Sequence, residues 1–301
     1  MNEQYDELAR YPHTLSEEQR TLVLEKLDMD AINYLVSQKI EPEQFLPYLE
    51  QEDFILRNTI WYDLAMKTQK TDVKEMMTFI NQYRNRLTLE HLESYLKNYS
   101  YNELMRFFDS ENTLTLCETP TDPYLIIEEH ESVFTYEPKS LVLINGVKTS
   151  NKLPFPKHYL RENVIVHLKD LLKNAKESNK LENGNLELVC GYLSYEQQLS
   201  LLEENHPLMK QLEIKNGGQS ELQLGYSVLL SFNEEKVEKD KKEHAYQDVI
   251  IYLKDQCAKH GFTIRNIYEK EQMIEIRYVG LDLAMELQEQ KLTLEEIEIK
   301  E

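Results

Sequence analysis

The sequence predicts an all-α N-terminal region followed by an α+β domain. Three observations carry this. Residues 1 to about 108 read as short helices joined by turns. Residues 109–140 change character, and Thr119-Pro120-Thr121-Asp122-Pro123 within them breaks any helix. From Leu141 onward, short apolar strand-like runs interleave with amphipathic helices without a strict βαβ rhythm. A chain of 301 residues is long enough for two such domains.

In the N-terminal region the segments 16–26, 29–38, 42–50, 72–83, 88–97 and 101–108 have helical apolar spacing. Leu22, Leu24 and Leu27 illustrate it, as do Ile32, Leu35 and Val36. Thr14 with Glu17, and Ser100 with Glu103, have the spacing of capping boxes. Helices of about 10 residues are marginal alone in water, so these must pack on one another. Such an array, 1–108, reads as an interaction module. The phrases LSEEQ, EPEQF, LTLEH and SYNEL are alike but keep no fixed period.

The stretch 109–140 reads as a domain junction, in which YLIIEE and SVFTYE could form short strands. LVLIN at 141–145 is a short strand, and a helix follows near 162–177. LELVCGY at 186–192 is a strand, and SYEQQLSLLEE a helix with Ser194 as N-cap. LQLGYSVLLSF at 222–232 is apolar enough to be a strand buried on both faces. EEKVEKDKKE at 234–243 is a solvated charge run. A strong amphipathic helix spans 244–260, and Gly261 suits the left-handed position that ends it. His260 reads as a cation favoured at that helix C-terminus. GFTIRNIY and MIEIRYVG are strands, and LDLAMELQEQ is a closing helix.

Composition excludes several function classes. A net charge of −20 and a pI near 4.9 repel a phosphate backbone, so nucleic acid is a poor partner. Cys117, Cys190 and Cys257 are too few and too scattered for a disulfide framework or a thiolate zinc site. The eight histidines form no HExxH and no i,i+4 pair. No phosphate loop, GxSxG elbow or GxGxxG occurs. With no signal-peptide pattern at the N-terminus and no run of about 18 apolar residues, the chain as written is expected to be cytoplasmic; a segment upstream of it would permit cell-envelope association.

Four blocks then carry a family resemblance: LVLIN…NKLPFPKHYL, CGYLSYEQQ at 190–198, GGQSELQLG at 217–225, and GFTIR…IRYVGLDLAMELQEQKLTLEE. In this order they resemble the VanY-type D-alanyl-D-alanine carboxypeptidases of the LAS metallopeptidases, zinc enzymes that trim the peptide stems of bacterial cell wall. The match covers roughly 141–296. The resemblance implies a small mixed or antiparallel sheet with flanking helices. It also implies a zinc ion held by two His and one Asp, with a Glu as general base on the metal-bound water.

At the aligned positions this chain departs from that chemistry. Leu222 stands at the first His position and Leu229 at the Asp position. Glu275 replaces the second His, and Gln272 the Glu that serves as base. Leu193 replaces the arginine of the family's GYR phrase, which contacts substrate. The segment before Glu275 is also shorter than the family's loop. Zinc is therefore expected for the family and not for this chain, which has no cofactor assigned. Three leucines brought together should form a dry apolar plug. Gln198, Ser220, Glu275 and Arg277 remain as residual cleft candidates, although Gln198 and Ser220 serve packing or capping equally well. Glu275 reads most simply as an exposed strand residue.

The expectation is a pseudopeptidase with a non-catalytic binding, scaffold or regulatory role. Its partners would be a protein docked on the N-terminal helices or at the junction of the two halves, or a peptide. Two alternatives stand beside it. One is an active D-Ala-D-Ala carboxypeptidase with a rearranged site drawing ligands from Glu221, Glu275 or His206. The other is a non-hydrolytic binder of cell-wall peptides.

Overall fold

The computed structural model describes residues 2–110, 113–178, 186–233 and 237–297. The chain divides into two compact units, Met1–Asn112 and Thr113–Glu301.

The first unit is all helical. Its helices are α1 (Asn2–Leu8), α2 (Glu17–Lys26), α3 (Met29–Gln38), α4 (Pro42–Phe45), α5 (Thr59–Thr68), α6 (Val73–Tyr83), α7 (Leu89–Asn98) and α8 (Tyr101–Asp109). The apolar spacing places α2, α3, α6, α7 and α8 to within a residue or two. Ser100 caps α8 in the box read from Ser100 and Glu103. The α2 box is formed instead by Ser16 and Gln19, because the helix starts at Glu17 and leaves Thr14 outside it. Helix α5 was not foreseen. It opens on Thr59, Ile60, Trp61 and Tyr62, residues of strand-like propensity, and Asn58 gives it no side-chain cap. Tertiary contact supplies what local signals lack: Tyr62 and Ala65 are fully buried. The segment 42–50 is one helical turn followed by a 3₁₀ turn, Leu46–Tyr48.

The second unit is α+β. It begins with two short parallel strands, β1 (Thr115–Leu116) and β2 (Glu131–Ser132), and an antiparallel pair, β3 (Leu141–Leu143) and β4 (Tyr159–Arg161). Helix α9 (Glu162–Glu177), strand β5 (Leu186–Cys190) and helices α10 (Tyr195–Glu203) and α11 (Pro207–Gln211) follow. Strand β6 (Ser227–Phe232), helix α12 (Lys242–Gln256), strands β7 (Phe262–Tyr268) and β8 (Met273–Tyr278) and helix α13 (Leu281–Gln290) complete it. Strands β5, β6, β8 and β7 form, in that order, an antiparallel four-stranded sheet.

Alternation divides the sheet residues between two faces. Val228, Leu230, Phe232, Ile274, Ile276 and Tyr278 share one face. Phe232 meets Tyr246 of α12, and Tyr278 meets His167 of α9, so this face is covered by helices. Ser227, Leu229, Ser231, Met273, Glu275 and Arg277 share the other, and all six are buried. The apolar run 222–232 is not one strand. Residues Glu221–Leu224 form a 3₁₀ turn, and Gly225, at φ 72°, breaks the chain direction before β6. Gly261 takes the left-handed conformation expected of it. His260 differs from its reading as a cation, because burial holds its pKa below the ordinary range.

The supposed junction at 109–140 is not a linker beyond Asn112. YLIIEE forms no strand, and of SVFTYE only Ser132 pairs, as the end of β2. The stretch is instead a strap bonded to the second unit. Val133 donates to the Gly218 carbonyl, the Tyr226 hydroxyl to the Thr121 carbonyl, and Arg277 Nε to the Pro123 carbonyl. Order in this strap comes from partners about 85–155 residues away in sequence, which no local pattern announces.

The boundary is testable. A fragment of residues 113–301 should unfold in one cooperative thermal transition followed by circular dichroism. A fragment of residues 141–301 lacks the strap and should lose that cooperativity or become insoluble. Equal melting of the two would show the strap to be dispensable.

Candidate functional site

The motif loop 217–225 is held by two glutamines. Gln198, on α10, donates to the Leu193 carbonyl (3.1 Å) and to Gln223 Oε1 (2.6 Å), and its own oxygen accepts from Gly218 N. Gln223 donates in turn to the carbonyls of Phe134 (2.6 Å) and Tyr136 (2.9 Å). Both side chains are fully buried, and the described bonds use every amide oxygen and nitrogen. Ser220 caps the 3₁₀ turn by accepting from Leu222 N. Gln198 and Ser220 are thus structural clamps, and neither faces an open cleft.

Leu193, Leu222 and Leu229 do come together. With Val189, Cys190 and Met273 they belong to one buried cluster, and none exceeds 1% exposure. Burial pushes the Cys190 thiol up to about 12, with Glu275 adding to the shift, so it stays protonated. Glu275 lies directly across from Leu229 in the β6–β8 register. Gln272 does not join them. It occupies the left-handed position, φ 52°, of the tight β7–β8 hairpin turn.

Glu275 corrects the reading of an exposed strand residue: it is only 6% exposed. Its partners are the Tyr268 hydroxyl at 3.1 Å and, more distantly, Asn266 Nδ2 at 3.5 Å. Desolvation, with help from the nearby Glu221 charge, raises its pKa to about 7; Tyr268, Asn266 and Arg265 only partly offset this.

Arg277 is not open to a cleft either. It is fully buried, and Nη1 donates to Glu221 Oε2 at 2.8 Å. Glu221 also takes two bonds from Arg265, at 2.9 and 3.1 Å, and Arg265 reaches Glu295 at 2.6 Å. Arg265 was not singled out from sequence. It sits at the β7 irregularity between Ile264 and Asn266, which redirects one side chain and leaves no sequence pattern. Arg277 Nη2 and Ser227 Oγ, cross-strand neighbours, have no hydrogen-bond partner, a cost of about 1–3 kcal/mol for each such group.

This arrangement of loop, sheet and helices has relatives. The family model for VanY, D-alanyl-D-alanine carboxypeptidase, matches residues 157–280. Residues 157–280 are a VanY-family domain. The Bacillus subtilis (strain 168) protein named "Putative carboxypeptidase YodJ" is 26% identical over 247 residues, covering 77% of this chain and 86% of that protein. Among solved structures, the LdcB LD-carboxypeptidase is 25% identical, with TM-score 0.46, over 62% of this chain and 91% of that one. The vancomycin-resistance D,D-dipeptidase VanXYg is 21% identical, with TM-score 0.44, over 60% and 71%.

At the VanY metal positions the residues present do not fit a zinc ion. Leu222 and Leu229 offer no donor, and the Glu275 carboxyl is taken up by Tyr268 and Asn266. Glu221 is engaged by two arginines, and His206 caps α11 by accepting from Leu208 N. Among the described residues no group of three or more His, Cys, Asp or Glu side chains is placed to hold a metal.

The Glu275 carboxyl sets a pH dependence. Its folded-state pKa, about 7, lies above the ordinary carboxyl value of 4.5, so the native VanY domain holds this proton longer than the unfolded chain. Stability from this group is full below about pH 4.5 and is lost as pH rises toward 7, by about 3 kcal/mol in all. Glu275→Gln removes the titration. Denaturant unfolding at pH 5 and pH 8 should show the variant gaining on wild type by an amount of that order at the higher pH. An unchanged difference would mean that Glu275 is hydrated.

Proposed function

We propose that the VanY domain of this chain is a non-hydrolytic member of its family, kept as a binding or scaffold module. The helical N-terminal unit would supply contacts to a protein partner. The observation that supports this most is the merging of Leu193, Leu222 and Leu229 into one buried apolar cluster. Peptide hydrolysis in this family needs a polarised water over the scissile carbonyl, and the side chains at these positions can neither bind a metal nor activate water. The residues that match the family's phrases have structural work instead. Gln198 and Gln223 clamp the loop, Ser220 caps the turn, and Arg277 neutralises Glu221. The fold can therefore persist without the chemistry.

The decisive measurement is metal content of the purified chain together with hydrolysis of acyl-D-Ala-D-Ala. The expected result is substoichiometric zinc and no release of D-alanine, with or without added zinc. Stoichiometric zinc, or hydrolysis abolished by a chelator, would falsify the proposal.

A second test addresses the plug. Leu222→His combined with Leu229→Asp should not restore hydrolysis, because Leu193, Gln272 and Glu275 remain. Placing a carboxylate at a fully buried position should cost about 3 kcal/mol or more. A melting temperature equal to wild type would show that these positions admit water.

A further inference from the structure

A groove of about 820 Å³ lies on the outer side of the leucine plug, within the second unit. Its floor is apolar. Met209 and Ile214 belong to the same buried cluster as Leu222 and Leu229, and Leu202 and Leu212 pack against that cluster. Its walls are α10, α11 and strap residues 127–129, which Lys215 and Gln219 tie down through the Glu129 carboxylate and carbonyl. The volume falls in the range of about 300–1,000 Å³ usual for ligand sites.

Two features of the rim indicate what fits. Lys210 and His206 stand four residues apart on α11 and its cap, and both line the groove. The His206 Nδ1 accepts from Leu208 N, which leaves Nε2 to donate. Lys210 makes no ion pair among the described residues. An anionic group above the floor would therefore meet two unused donors. Opposite charges line the remainder: Glu128, Glu129 and Glu213. Glu213 holds a left-handed backbone, φ 56°, at the C-terminal cap of α11, where Ile214 N bonds to the Met209 carbonyl. A fatty acid or a phosphate offers these carboxylates no N–H donor. The carboxylates can accept N–H groups from a peptide backbone.

We infer that this groove binds an extended peptide segment, with an aliphatic side chain on the Leu202–Met209–Ile214 floor and an acidic side chain on Lys210 and His206. The inference rests on the reading of the domain as a binding module and names the class of its ligand.

The test uses the full chain and a fluorescein-labelled, C-terminally amidated peptide, Ala-Leu-Leu-Asp-Ala, followed by fluorescence polarisation. Saturable binding below 1 mM is expected, weakened at least tenfold by Lys210→Glu and by replacing the peptide's Asp with Asn. Lys210 is exposed, so the variant should keep the wild-type circular dichroism and melting temperature. His206→Ala provides a second arm with a smaller loss. No binding at 1 mM, or binding indifferent to both charge changes, would overturn the inference. Displacement of the peptide by palmitate at lower concentration than by unlabelled peptide would also overturn it, in favour of a lipid site. Mass spectrometry of the incubated peptide separates the two claims. Cleavage would sink the non-hydrolytic reading and leave the groove standing, whereas loss of binding alone would do the reverse.

Discussion

The position of every residue at this site depends on a buried amide pair. Gln198 and Gln223 tie together the end of β5, the loop at 217–218, the 3₁₀ turn and the strap, by five hydrogen bonds that contain no charge. Amides suit this task because each supplies two donors and an acceptor without the desolvation penalty of an ion. Once the turn is fixed, Leu222 must point into the sheet and Glu221 away from its apolar centre, toward Arg265 and Arg277. Removing either glutamine would leave buried carbonyls or an N–H unpaired in at least two segments at once.

That frame explains why the apolar replacements are tolerated. A metal site stripped of one ligand leaves the others buried and unpaired. On the proposed reading, leucines at 193, 222 and 229 fill as close-packed core the volume where ligands and an arginine would otherwise stand. Glu275 is the remnant that does not fit. It keeps its place across from Leu229 by holding its proton up to about pH 7 and by accepting hydrogen bonds from Tyr268 and Asn266. Glu221 is nearby too, but it is paired with the Arg265 and Arg277 guanidinium groups.

Legibility in the sequence followed the range of the interactions. Helices α6 and α9 were readable because their apolar residues recur with the helical period, and Asp72 caps α6 from the adjacent position. Helix α5 was not, since its strand-like residues are overruled by contacts with other helices. The convergence of residues 193, 222 and 229 was readable through the family phrases, which place known positions in a shared fold. The burial of Glu275 was not. The alternation Ile274, Glu275, Ile276, Arg277 describes a sheet with one wet face, and segments brought from elsewhere in the chain, among them the 3₁₀ turn, α10 and α11, cover the second. Arg265 was hidden for a similar reason, because a local irregularity changes which side of the strand a residue faces.

The matched phrases divide into two kinds of residue. Gly191, Gln198, Ser220, Gln223, Gly225 and Arg277 keep the family's identity, and each has a partner or a conformation in the fold that depends on it. A Cβ at Gly191, for instance, would collide with the Tyr159 carbonyl, and Gly225 needs a positive φ. Leu193, Leu222, Leu229 and Gln272 depart from the family, and their positions need only fill space or turn the chain. A fold under no demand for hydrolysis would retain the first kind and release the second, because stability constrains the one set and chemistry constrained the other. The groove shares this core: Met209 and Ile214 on its floor belong to the same buried cluster as Leu193, Leu222 and Leu229, so the packing behind the motif loop also sets the groove's apolar base.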